Sequence, residues 1–142
     1  MVEDDDMSYE VSYNSTLHIV EILFAGELNT SALKDATSEI IRVSLERGCT
    51  DFLLDSRMQM RVQSMADLYY LPQSYLTEGL DPKSRAAIIL SKSGPMRQDS
   101  LFWETVCTNL GLKVRSFESR EEAIAWLRGT NISNKGDTGN DR

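Results

Sequence analysis

Few side chains of this 142-residue chain could carry chemistry by themselves. Its only histidine, His18, falls within the mainly apolar stretch LHIVEILFA, residues 17–25, which reads as a strand. No serine in a strained nucleophile turn lies near it in sequence, so a relay of nucleophile, base and acid lacks its parts. Cys49 and Cys107 stand alone without a CxxC pair, and one histidine with two scattered cysteines does not make a usual zinc site. Neither GxGxxG nor GxxxxGK[ST] occurs, which removes the common cradles for nucleotide phosphates.

Two places remain where side chains could act. Asp55 ends the short apolar run DFLLD and is followed by Ser56, as a phosphate-accepting aspartate would be. That chemistry needs magnesium held by further acids at the end of the first strand. The acidic cluster Asp4, Asp5, Asp6 has no apolar strand before it. The turn SKSGPMRQ, residues 91–98, leads into a helix, and Lys92 and Arg97 there could hold an anion beside backbone amides. A plain Gly-Pro connection explains the same residues.

The elements that would position these groups follow from periodicity. Residues 8–13 alternate and pair with 17–25 as an antiparallel hairpin, through a turn at residues 14–16. The segment 26–29, GELN, breaks the second strand. Asn29 or Thr30 can cap a helix over 31–47, whose apolar residues recur at Leu33, Ala36, Ile40, Val43 and Leu45, and Gly48 stops it. Residues 51–55 read as a buried strand and 56–63 as an irregular connection. Helical spacing resumes over 64–77, but Pro72 removes a hydrogen bond and must kink or split that helix.

A further buried strand covers 85–91, and a helix covers 99–110 with Asp99 as its cap and Leu101, Phe102, Val106 and Leu110 inward. Residues 112–117 form the last strand. Ser119 and Glu122 form a capping box that opens a short helix with Ile124, Trp126 and Leu127 inward. The order is β-β-α-β-α-β-α-β-α, an α/β domain with helices covering a mainly parallel sheet.

Composition bounds the function. With 41% apolar residues the chain suits one domain over residues 8–128, with an acidic segment 1–7 before it and a polar, disordered tail over 129–142. A net charge of −7 repels phosphate backbones and disfavours nucleic acid as a partner. No apolar run approaches the roughly 18 residues of a membrane span. The start MVEDDDM is neither a secretory signal nor a transit peptide, and a reducing cytoplasm is the simplest home.

Helix 64–78 carries more apolar surface than one face requires, so some of Tyr69, Tyr70 and Tyr75 approach the surface. Two readings stand: tyrosines half-buried with wet hydroxyls, or a patch for a protein partner, a second copy of the chain, or an apolar ligand under a movable helix.

With these elements placed, the hairpin start followed by Gly26, Glu27, Leu28, Asn29 and Thr30 resembles the GELD-type turn of STAS domains, the sulphate transporter and anti-sigma-factor antagonist family. LLDSRMQMRVQSMADL, residues 53–68, resembles that family's LDLSGVxFIDSSGL segment. In this register Asp55 matches the aspartate ending the strand, and Ser64 matches the serine that regulatory members offer to a kinase. Gln63-Ser64-Met65-Ala66 stands where those members have Asp-Ser-Ser-Gly. The half from RAAIIL to KVRSFESREEAIAWL is similar to the stand-alone SpoIIAA-like branch.

The resemblance implies a mainly parallel five-stranded sheet flanked by four helices and a non-catalytic module without a cofactor. The module would bind a kinase or another regulatory protein through residues 26–30, 56–63 and the helix start at Ser64. Gly26, Glu27, Asn29, Thr30, Asp55, Ser56, Tyr69 and Tyr70 are the candidate contacts and Ser64 the candidate phosphorylation site. As a helix cap, Ser64 would serve equally without regulation. A small-molecule or lipid carrier is the alternative.

Overall fold

The computed structural model describes residues 9–62 and 64–129. Two strands open the chain, β1 (Tyr9–Asn14) and β2 (Ile19–Leu28), paired antiparallel from Tyr9 opposite Phe24 to Asn14 opposite Ile19. Asn14 Oδ1 accepts from Leu17 N at 3.0 Å and shapes the turn between them. His18 lies in this turn with φ 57°, not in the strand its apolar neighbours suggest, and its Nδ1 is 2.5 Å from the Tyr13 hydroxyl.

Then follow α1 (Thr30–Arg47), β3 (Asp51–Val62), α2 (Met65–Tyr70) continued by a 3-10 turn (Leu71–Ser74), β4 (Arg85–Ile89), α3 (Gly94–Asn109), β5 (Lys113–Phe117) and α4 (Arg120–Arg128). The strands form one sheet in the order β1-β2-β3-β4-β5, and every pairing after the first is parallel. It is a mainly parallel five-stranded α/β sheet with four helices. Among the described residues no helix is long and apolar enough to cross a membrane.

Strand alternation divides the core between the two sheet faces. Val20, Ile22 and Phe24 with Phe52 and Leu54 point toward α1, α2 and α3. Ile19, Leu53, Ala87 and Ile89 point toward α4, where Ala123 and Leu127 cover them. Helix ends obey local chemistry: Asn29 Oδ1 accepts from Ala32 N at 2.8 Å, Ser119 Oγ from Glu122 N at 3.2 Å, and Gly48 and Gly129 close their helices in the left-handed conformation. As Pro72 requires, the helix after residue 64 is split there, and α2 gives way to the 3-10 turn.

Several expectations change. Residues 26–28 do not break β2, and residues 56–62 are not a loop: both stretches are strand, paired from Ala25 opposite Met58 to Leu28 opposite Val62. Polar side chains fit there because the two strands outrun β4, which pairs only as far as Asp55, and so form a ribbon partly open to solvent.

Helix α3 begins at Gly94 with Pro95 in its first turn, a favoured place for proline, so Asp99 lies inside the helix and caps nothing. Its inner face is Met96, Asp99, Ser100, Trp103, Val106 and Cys107; Leu101, Phe102 and Leu110 are exposed. In α1, Leu45 is likewise exposed. The segments 1–7 and 130–142 lie outside the described residues.

Candidate functional site

In a parallel sheet, ligands and partners meet the carboxyl ends of the strands, where loops and helix starts converge. Here those ends are the β2–β3 ribbon, the start of α1, and α2. Gly26 supplies a φ of 69° where the register between the strands shifts, a conformation that side-chain-bearing residues rarely adopt. After it Glu27 points to solvent while Leu28 is 1% exposed in the core. Asn29 then caps α1, and Thr30 Oγ1 donates to Asp67 Oδ2 at 2.7 Å. That bond ties the start of α1 to the first turn of α2, so residues 27–30 lie beside 61–62 and 64–67.

Ser64 occupies the N-cap position of α2 in extended conformation and is half-buried, but its side chain makes no capping bond. The expected role as a side-chain cap does not hold: only the Ser64 carbonyl engages the helix, accepting from Asp67 N at 3.2 Å. Tyr69 and Tyr70 are exposed, packed edge to face with ring centres 4.9 Å apart. Met65 and Leu76 add exposed apolar surface to the same segment, and Met58 and Met60 do so on β3. Tyr75 turns inward, where Trp103 Nε1 donates to its hydroxyl at 3.1 Å and burial pushes its phenol above the ordinary tyrosine range.

The other candidates lie outside this corner, although Ser91 of the 91–98 turn donates to the Gln59 carbonyl of β3 at 3.2 Å. Asp55 projects from the opposite sheet face, toward α4. Burial pushes its carboxyl upward, but Arg57 overcomes this with bonds from N at 3.1 Å, Nε at 3.0 Å and Nη2 at 2.8 Å and holds it below the usual carboxylate range. Both oxygens are thereby engaged. Among the described residues no group of three or more His, Cys, Asp or Glu could hold a metal ion. Close by, Arg120 donates to both oxygens of Glu21 at 2.9 and 2.8 Å and lowers its pKa despite partial burial. Arg97 is taken up by Glu118, leaving Lys92 as the cation of the 91–98 turn not occupied by that pair.

The Asp55 and Glu21 pairs carry a pH signature. A carboxyl whose folded pKa is depressed stabilises the fold above its unfolded value, near 4, and loses that contribution as pH falls through the folded value. Asp55→Asn with Glu21→Gln therefore costs about 1–2 kcal/mol at pH 7, discounted for the exposure of Arg57. The difference from wild type closes as pH falls below about 4, through the depressed folded values of the two carboxyls. Urea unfolding at stepped pH checks this; a constant gap would show that neither carboxylate is stabilised by its arginine.

Ser56 is buried, and with Gln59 it lines a cavity of about 130 Å³ between the sheet, α1, α3 and residues 68–80. Its walls are apolar, among them Phe24, Leu68 and Trp103, with Asp99 set into them from α3. Asp67 does not stand out in sequence, and Asp99 reads there as a helix cap, not as a cavity residue. The spacing of residues 96, 99, 100 and 103 behind Pro95 was the available signal for Asp99. Cys49 and Cys107 are buried free thiols, and burial pushes Cys107 up to about 12, far from a reactive thiolate.

No family model matches this sequence, and no curated protein is similar enough to count as a relative. Solved structures do match. The anti-sigma factor antagonist SpoIIAA in its unphosphorylated form aligns with a TM-score of 0.60 and 21% identity, over 85% of this chain and 96% of that one. An uncharacterised DUF3478 protein from Shewanella loihica, described as having a SpoIIAA-like fold, aligns with a TM-score of 0.59 and 16% identity, over 89% and 99%. The phosphorylated form of the Bacillus cell fate determinant SpoIIAA gives a TM-score of 0.52 and 20% identity, over 84% and 99%. The chain has the SpoIIAA-like fold that its GELN and EEAIAWL segments suggested.

Proposed function

We propose that this chain is a regulatory module that works by binding a protein, through the corner built from residues 27–30, the start of α2 and Tyr69 and Tyr70. The observation that carries this reading is the Thr30–Asp67 bond, which joins two segments distant in sequence into one surface edged by exposed Tyr69, Tyr70 and Met65. Exposed tyrosine and methionine are the side chains that anchor protein interfaces. Its fold likeness to SpoIIAA, solved in phosphorylated and unphosphorylated forms, supports the same reading.

Ser64 is the proposed phosphorylation site. Helix α2 has only six residues, so its dipole offers a phosphate little. The charge acts instead on Asp67, three residues on: a phosphoserine carries about −1.5 to −2 and repels that carboxylate. Repulsion would break the Thr30–Asp67 bond and change the corner that the partner meets. Incubation with ATP and an extract of the native cells is expected to label the wild-type chain at Ser64 and not Ser64→Ala. Equal labelling of both would reject this residue.

A second reading is favoured by the cavity beneath residues 68–80: the module holds a small apolar molecule there. Its walls offer the apolar surface of a ligand pocket, and a few polar groups converge on it.

A further inference from the structure

Asp99 is an anomaly in the wall of the cavity. It is 5% exposed, and its Oδ2 is buried without a hydrogen-bond partner. It lines the cavity from the inner face of α3, between Met96 and Trp103, where periodicity calls for an apolar residue. A buried acceptor left unpaired costs stability, whereas an apolar residue of similar size would cost nothing there. Such an arrangement persists in a folded chain when something supplies the missing donor. The room is adequate: apolar cavities of about 150 Å³ accept benzene-sized molecules.

Resting on the second reading above, we propose that the cavity takes a compact apolar molecule bearing one hydrogen-bond-donating head, a hydroxyl or an amine, which donates to Asp99. The body of the ligand lies against Phe24, Leu68 and Trp103, and the head is drawn by charge complementarity to the one acidic side chain in the wall. Thr37 also lines the cavity, where its hydroxyl donates to the Leu33 carbonyl at 2.9 Å and its oxygen remains a neutral acceptor; Asp99 Oδ2 is the carboxylate acceptor left without a partner. Ser100, one residue on, adds a second polar group to the same wall.

The test uses toluene, benzyl alcohol and benzylamine with the full chain. Trp103 reports binding by fluorescence once Trp126, which packs on the other sheet face, is replaced in a Trp126→Phe background. Benzyl alcohol, benzylamine or both are expected to bind at least about tenfold more tightly than toluene, the advantage of a charge-assisted bond. In Asp99→Leu that preference disappears while toluene still binds.

Asp99→Asn keeps shape and an acceptor but removes the charge, so it retains an advantage of the alcohol and loses that of the amine. Which head is preferred in the wild type tells a hydroxyl ligand from an amine ligand. Toluene binding as tightly as both donors, or a preference that survives in Asp99→Leu, overturns the assignment of Asp99 and leaves the cavity reading standing. No binding of any of the three overturns both.

Discussion

Leu28→Ala lowers the free energy of unfolding by about 2–4 kcal/mol, and the midpoint of thermal unfolding by about 10 °C. The side chain is 1% exposed and belongs to the buried cluster of Val20, Ile22, Phe24, Ala36, Cys49, Phe52 and Leu68. Removing three of its carbons leaves a hole where β2 hands over to α1, and Asn29, held by its cap to Ala32, resists collapse into it. The neighbouring Glu27→Ala, at an exposed position of the same strand, shifts stability by less than about 0.5 kcal/mol.

The loss at Leu28 also reaches the proposed binding corner. Leu28 and Leu68 share one cluster, and Thr30 and Asp67 share one hydrogen bond. Amide exchange in α2 is therefore expected to accelerate more than in α4, which lies on the other sheet face. Equal and small effects of both substitutions would place residue 28 in a turn, as the segment GELN reads in isolation. The ribbon that forms the corner would then be wrong.

What could be read from sequence, and what could not, divides by the range of the forces involved. The cap at Asn29, the stop at Gly48, the serine half of the capping box at Ser119 and the split at Pro72 depend on chemistry within a few residues, and they stand as read. The apolar strands that open at residues 51 and 85 stand for the same reason, although the second, read over 85–91, ends at Ile89. Residues 56–63 read as a loop because Ser56, Arg57 and Gln59 are polar, yet 56–62 are strand through pairing with β2, more than thirty residues earlier. Asp99 was misplaced because a polar residue before an apolar run resembles a cap. In the packed structure it faces inward while Leu101 and Phe102 face water. Ser64 held its predicted position but not the bond expected of it, since backbone pattern places a residue without orienting its hydroxyl.

Arg85→Ala is expected to cost about 2–3 kcal/mol, although this arginine drew no notice in the sequence beyond opening an apolar strand. The last carbonyls of a helix have no partners within it. At the end of α4, Arg85 reaches across from β4: Nη1 donates to the Trp126 carbonyl at 3.2 Å and Nη2 to the Leu127 carbonyl, while the guanidinium lies 5.4 Å from the centre of the Trp126 ring. A long contact of 3.4 Å from Nε to Asp51 fixes the other edge of the group.

Among the described helices α4 alone covers Ile19, Leu53, Ala87 and Ile89, so loosening its end uncovers that side of the core. It also carries Arg120, whose bonds to Glu21 close the neighbouring part of the sheet. Arg85→Lys retains the charge but offers a single ammonium where two successive carbonyls and a carboxylate are now met by a planar fork, and it should recover less than half the loss. Denaturant midpoints for the three proteins give the order arginine, lysine, alanine. A cost below about 0.5 kcal/mol for Arg85→Ala would mean that apolar contact alone seats the helix.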